Sequence, residues 1–162
     1  MFDTFGEFDS AEEINKAAAA QLAQGDTQAV RDIARENGLD SADAEDYIDG
    51  EVTELCNPLM AALGKIKIEE DELKPVEIVQ DWINYIKAQV TEHPDMAIAV
   101  RRKGKTVKGC IAELLKWSFK NCYPVDKDIV KAAGVGASVK MGIPGMGRAY
   151  EIIKAYYLGG AK

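Results

Sequence analysis

Seven carboxylates stand between positions 40 and 54 with no base among them: Asp40, Asp43, Glu45, Asp46, Asp49, Glu51 and Glu54. Acids at this density hold a metal, work in pairs as general acid and base, or present a negative surface to a cationic partner. A calcium loop fails on spacing, because the third and fifth positions counted from Asp40 are Ala42 and Ala44, where oxygen ligands are needed. Acid–base work needs an apolar pocket that raises one carboxylate pKa, and no obvious one surrounds these acids. Two readings remain. One is a solvated helix face; the other is an acidic surface that imitates nucleic-acid phosphates and enters a basic groove.

The opposite charge gathers at Arg101, Arg102, Lys103, Lys105 and Lys108, five bases in eight positions. Cations at a helix C-terminus offset its dipole, but capping does not need five. With Trp117 on the following helix, the cluster suits a nucleic-acid backbone or an acidic protein. Gly104-Lys105-Thr106 ends like a phosphate-binding P-loop, but Ala99 stands where that loop needs its first glycine, and a helix rather than a strand precedes it. It reads as a helix–helix turn. Gly142-Ile143-Pro144-Gly145-Met146-Gly147 is similar to the hairpin of helix-hairpin-helix DNA binders, with Lys140 and Arg148 beside it to help hold a phosphate. Against that, Glu151 and Lys154 fall where small and apolar residues belong. Ordinary turn chemistry explains the same glycines.

Catalysis has little to stand on. Cys56, Cys110 and Cys122 are odd in number and form no C-x-x-C pair, which argues against a disulfide framework or a zinc site. His93 is the only histidine and lies far from each of them along the chain. Cys110 falls on an apolar helical stripe and reads as core. No serine, histidine and acid set stands out, so the chain reads as a binding protein and not an enzyme, with no cofactor and no metal. No run approaches the roughly 20 apolar residues of a membrane span. The acidic start lacks the basic region of a secretory signal. A reduced, cytoplasmic setting follows as the expectation.

Helices must carry these groups. Ser10-Ala11-Glu12-Glu13 is a capping box, which predicts a helix from Ser10 to about Ala23, after an extended arm holding Phe2, Phe5 and Phe8. A second helix is expected over Thr27–Asn37, stopped by Gly38, and a third from Ser41 with Ala44, Tyr47 and Ile48 inward. Asn57-Pro58 opens a short helix that Gly64 closes. Lys65-Ile66-Lys67-Ile68 alternates and predicts the one extended segment. Glu69-Glu70-Asp71-Glu72 reads as a solvated linker. Val76, Val79, Ile83, Ile86 and Val90 mark the next helix face, and His93-Pro94 ends that helix and starts another. After the Gly104 turn, Val107, Cys110, Ile111, Leu114, Leu115 and Ser118 form the clearest amphipathic stripe. Val79, Ile83, Ile86, Ile111, Leu114 and Leu115 are expected in one core. Asp126 caps a short helix ended by Gly134, and a last helix begins near Arg148.

The 162 residues, 47% of them apolar, suffice for one domain or two small ones. The expected fold is mainly α, in two small helical subdomains: an acidic one over 1–68, an acidic linker over 69–75, and a basic helical domain over 76–162. Residues 1–75 hold 19 acids and 6 bases, a net −13; residues 76–162 hold 8 acids and 14 bases, a net +6. That asymmetry implies two surfaces with different partners, or two halves that attract each other.

From Asp81 to Leu158 the chain resembles PcfK-like proteins, small proteins of conjugative plasmids and related mobile elements of Gram-positive bacteria. The resemblance rests on Trp82-Ile83-Asn84-Tyr85-Ile86, on Lys108-Gly109-Cys110 opening a helix, and on the late pair Tyr156-Tyr157. The acidic front, with Ala44-Glu45-Asp46-Tyr47, is similar to accessory proteins of phages and integrative elements, a setting that includes anti-CRISPR inhibitors. The resemblance implies no catalytic residues. It implies a mobile-element accessory protein that binds and inhibits a host nucleic-acid-handling protein, such as a CRISPR effector nuclease. The acidic residues 40–54 would meet that basic protein, and the basic residues would touch its nucleic acid. The alternative is a conjugation or replication accessory protein that binds DNA directly through its basic C-terminal half.

Overall fold

The computed structural model describes residues 4–159, so Phe2 of the expected N-terminal arm lies outside the described residues. The fold is mainly α. In chain order the elements are α1 (Ala11–Ala23), α2 (Thr27–Glu36), α3 (Ser41–Ile48), α4 (Pro58–Leu73), α5 (Ile78–Glu92), α6 (Pro94–Arg101), α7 (Val107–Lys120), β1 (Tyr123–Pro124), α8 (Lys127–Ala132), β2 (Lys140–Met141) and α9 (Met146–Leu158). The chain divides into two compact units, residues 1–108 and 109–162. The division lies well beyond the expected linker at 69–75. Residues 1–108 hold 23 acids and 12 bases, a net −11; residues 109–162 hold 4 and 8, a net +4.

Local signals start the helices of the first unit. The Ser10 hydroxyl accepts from the Glu13 N–H at 3.2 Å, while the Glu13 carboxylate reaches back to the Asp9 N–H at 2.8 Å. Asp26 and Asn57 cap α2 and α4 in the same way. The apolar faces then meet in one cluster holding Ile14, Ala18, Val30, Ile33, Ala44, Tyr47, Leu55 and Ala61, with Phe5 and Phe8 packed against it. The arm is also held by Glu36. Its carboxylate accepts the Thr4 N–H at 3.0 Å and the Phe5 N–H at 3.1 Å.

The largest departure from the sequence reading is α4. Gly64 does not close it, Lys65–Ile68 is not extended, and Glu69–Glu72 is not a linker: one helix runs from Pro58 to Leu73. Its buried positions are Ala61, Ala62, Gly64, Lys65 and Ile66, a helical stripe that the Lys-Ile-Lys-Ile alternation disguised. Gly64 is there for space. The Asn37–Gly38 turn that follows α2 presses on α4 at this point. A Cβ on Gly64 would stand 2.2 Å from the Asn37 carbonyl oxygen, and one on Gly38 would stand 2.3 Å from the Gly64 carbonyl oxygen. Two backbones touch here because neither residue has a side chain.

In α5, Trp82, Ile83, Ile86 and Val90 are buried, Val79 is half-buried and Val76 precedes the helix, 71% exposed. The second unit contains the short strands, β1 and β2, far from the expected segment at 65–68. They pair antiparallel with Tyr123 opposite Met141 and Pro124 opposite Lys140. Cys110, Leu114, Pro144, Ala149, Ile153 and Tyr157 are buried there. Ile111 is half-buried and Leu115 is 54% exposed, so Leu115 is not the core residue it was expected to be.

Two outcomes follow. Gly64→Ala forces the touching backbones apart and should cost about 1–3 kcal/mol, the usual range for overpacking. Gly147→Ala, in α9 with open space around the new methyl, should be neutral or stabilising by up to about 1 kcal/mol. Urea midpoints of the two variants check the contrast. The second outcome concerns Glu36. Burial pushes its pKa up, but hydrogen bonds from Phe5 and Thr4 outweigh this and hold it below the ordinary 4.5. A depressed folded-state pKa stabilises above the unfolded value and ceases to do so as pH falls through the folded one. The stability advantage of wild type over Glu36→Gln should therefore be full at pH 6 and shrink below about pH 4.5, in melts recorded across that range.

Candidate partner-binding surfaces

The acidic residues belong to the first unit and divide between two surfaces: Asp43, Asp46 and Glu54 line one cleft, while Glu45 lines another with Arg31 and Lys67. Asp40 is the N-cap residue of α3, and Asp43, Glu45 and Asp46 follow within that helix. Asp49, Glu51 and Glu54 continue the charge through the irregular segment up to α4. Asn15 on α1 positions the end of this segment: its side-chain amide donates to the Cys56 carbonyl at 2.9 Å and accepts the Cys56 N–H at 3.0 Å. Below the charges, a cleft of about 290 Å³ is lined by Asp43, Asp46 and Glu54 together with Val52, Leu55 and Met60.

The seven acids differ in how far they are already neutralised. Glu45 accepts both Arg31 Nε at 2.6 Å and Arg31 Nη2 at 2.9 Å. Those bonds hold its pKa below the usual carboxylate value. Such a forked pair is satisfied within the chain and leaves little charge for a partner. Asp40 stands 3.6 Å from Lys67 Nζ, with both side chains well exposed, a weak attachment. Asp49 feels the charge of Arg31. Asp46, Glu51 and Glu54 are exposed and form no ion pair among the described residues. The available surface is therefore Asp43, Asp46, Asp49, Glu51 and Glu54.

The basic cluster does not assemble as expected. Arg101 is 1% exposed. Its guanidinium donates from Nη2 to Asn37 Oδ1 at 2.5 Å and from Nη1 to the Ala61 carbonyl at 3.5 Å. Its charge is spent inside the first unit. Lys65, missed as a structural residue, is buried likewise. Its ammonium contacts Glu7 Oε1 at 2.7 Å and the Arg102 carbonyl at 2.9 Å, with Glu69 Oε1 at 4.0 Å. Burial raises the pKa of Glu69; the Val107 N–H and Lys65 oppose that shift. Arg102, Lys103 and Lys108 are exposed and Lys105 half-exposed. They share their surroundings with acids: the Lys103 N–H donates to Asp9 Oδ1 at 2.8 Å, and Lys108 lines a pocket with Glu7, Glu69 and Glu72.

Trp117, Lys140 and Arg148 belong to the second unit. Trp117 is half-buried, Lys140 is exposed on β2, and Arg148 is tied to Glu151 one helical turn on. The Gly104 region is the helix–helix turn that was expected, with Gly104 at φ 77° between α6 and α7. Cys56 and Cys110 are buried, and desolvation pushes both thiols up to about 12, which leaves them protonated and unreactive at neutral pH. Among the described residues, no group of three histidine, cysteine or acidic side chains is placed to hold a metal ion, and no helix is long and apolar enough to cross a membrane. No family model, no curated protein and no solved structure matches the chain.

The two adjacent arginines separate structure from surface. Arg101→Ala strands the Asn37 and Ala61 oxygens and should cost about 1–3 kcal/mol. Arg102→Ala should stay within about 0.5 kcal/mol of wild type. Thermal or urea unfolding of the pair is the check, and equal costs would place Arg101 outside the core.

Proposed function

We propose that this protein is a mobile-element accessory protein that uses the acidic face of α3 and the segment behind it to occupy a cationic groove on a host nucleic-acid-handling protein. An RNA-guided effector nuclease of the CRISPR type is the partner class that this reading favours. The observation that carries the proposal is the charge balance at the surface. Asp46, Glu51 and Glu54 are exposed beside Asp43 and Asp49 and form no ion pair among the described residues, while Arg31 is taken up by Glu45. Carboxylates about a cleft that Val52, Leu55 and Met60 also line suit a groove built for phosphates. The likeness to PcfK-like and phage accessory proteins supports the setting. The proposal includes no catalytic step and no cofactor.

The rival is direct DNA binding by the basic C-terminal half, for which the net +6 of residues 76–162 is the supporting fact. The rival loses support where Arg101 is withdrawn from the surface and the other bases of that cluster lie among acids.

One experiment separates them. Guide-loaded effector nucleases are assayed for DNA binding and cleavage with wild-type protein, with Asp43, Asp46 and Asp49 reversed to lysine, and with Arg102, Lys103 and Lys105 neutralised. The proposal expects inhibition by wild type that the acidic reversal abolishes, chiefly through an association rate lowered about tenfold or more at low salt. Naked DNA should bind weakly. The rival expects tight DNA binding at physiological salt, with log affinity falling by about 0.7–0.9 per phosphate for each unit of log salt. Tight binding of that kind, unmoved by the acidic reversal, would overturn the proposal.

A further inference from the structure

The backbone of the first unit is strained in one place. Lys74 is at φ 47° and Glu77 at φ 51°, and no other non-glycine residue has a positive φ among the described residues. Both lie in the short connection between α4 and α5. Lys74 takes the left-handed conformation, with ψ 57°, and gives its N–H to the Glu70 carbonyl to close α4. Pro75 follows it, and a residue before proline prefers extended backbone. Glu77 is placed less favourably still. With ψ −130° it is the first central residue of the tight turn Val76–Val79, which the Val79 N–H closes on the Val76 carbonyl at 3.2 Å. That position suits glycine, because any Cβ there is crowded by the surrounding backbone.

The same end of α5 carries a second cost. Trp82 is 4% exposed, and its indole N–H meets no acceptor among the described residues. Native folds avoid buried donors of this kind. The helix also starts without a side-chain cap. One polar fastening opposes these costs: Glu70 on α4 accepts Gln80 Nε2 at 2.6 Å and holds Lys87 Nζ at 2.5 Å. The neighbouring parts are anchored independently. Arg101 ties the end of α6 to Asn37 and to α4, Lys65 holds the Arg102 carbonyl, and Ile83, Ile86 and Val90 bury the rest of α5. The unfavourable features therefore fall on residues 74–82, between segments that are well fixed.

We propose that the start of α5 is a loaded switch. Residues 77–82 leave the helix and return to it while the rest of the first unit stays folded; strain at Glu77 drives opening, and Glu70 is the latch that holds the closed form. Elements held in unfavourable backbone conformations cluster where a chain must change between two arrangements. Opening returns Glu77 to a negative φ, carries the Trp82 N–H to water and releases Gln80 from Glu70. It adds Trp82 to Leu73 and Val76, which are exposed already. The open form is the minor one, because the closed form buries the Trp82 ring. This device is independent of the acidic residues around α3.

Native-state hydrogen exchange of the full chain, read at single amides by NMR, tests the switch in wild type, Glu77→Gly and Glu70→Gln. In wild type the Asp81, Trp82 and Ile83 amides should exchange about tenfold or more faster than those of Ile86 and Val90. Glu77→Gly should slow the first group about threefold or more, and Glu70→Gln should quicken it by about the same factor, with Ile86 and Val90 moved less. Ordinary fraying predicts the opposite sign for Glu77→Gly, since glycine loosens an unstrained turn. A second readout follows Trp82 alone in a Trp117→Phe background. Its quenching by acrylamide should fall with Glu77→Gly and rise with Glu70→Gln. Unchanged circular dichroism confirms that the variants fold, and Glu77→Gly decides the matter by itself if Glu70→Gln does not. The proposal is overturned if Glu77→Gly leaves the Asp81–Ile83 exchange unchanged or quickens it. It is equally overturned if those amides exchange only together with Ile86 and Val90, in global unfolding.

Discussion

The guanidinium of Arg101 lies where α2, α4 and α6 meet, donating to Asn37 at the end of α2 and to Ala61 on α4. A cation taken out of water costs several kcal/mol unless its hydrogen-bonding groups find acceptors. Burial accordingly depresses the Arg101 pKa, and Glu7, Cys56, Glu69 and Asp9 oppose that shift. The Gly38–Gly64 contact lets α2 and α4 come close enough for one guanidinium to reach both. Lys65, one residue past Gly64, extends the same arrangement to the N-terminal arm through Glu7 and to the end of α6 through the Arg102 carbonyl. Asp9 then holds the Lys103 N–H, and Glu69 accepts the N–H of Val107 at the start of α7. Two buried cations thus fix the arm, α4, α6 and the turn beyond it.

This arrangement shapes the surface. The first unit has few bases relative to its acids, and two of its twelve are enclosed with carboxylates around them. Of the acids on α3, Asp46 is exposed, Asp43 is half-buried, and Arg31 satisfies Glu45. What is left outside is a group of exposed carboxylates, three of which line a small cleft with Val52, Leu55 and Met60. The second unit has the opposite character, with few acids, half of them locked in helical ion pairs, and several large apolar side chains exposed.

Much of the fold was legible because its signals are local. Ser10, Asn57 and Asp126 announce helix starts through side-chain bonds to N–H groups a few residues on, and each is found capping. Gly25, Gly38, Gly50, Gly104 and Gly134 end helices or turn the chain, all at positive φ. Gly64 carries the same residue type for a different reason, an approach between segments far apart in sequence, and nothing local tells the two uses apart. Arg101 and Lys65 were misread or missed for a related reason. A buried cation needs partners supplied by other elements, here Asn37, Ala61 and Glu7, and an isolated run of bases looks identical whether it faces in or out. The acidic face was visible as a run of residue types. Its division into satisfied and available carboxylates depended on Arg31, fourteen residues before Glu45.

The central claim is that Arg101 works inward as a structural cation. A double-mutant cycle over Arg101→Met and Asn37→Ala, read by urea unfolding of the full chain, tests it most directly. A charged hydrogen bond buried between α2 and α6 predicts a coupling of about 1.5–3 kcal/mol between the two substitutions. Costs that add to within about 0.5 kcal/mol would mean that the two side chains do not meet, and would return Arg101 to the surface cluster.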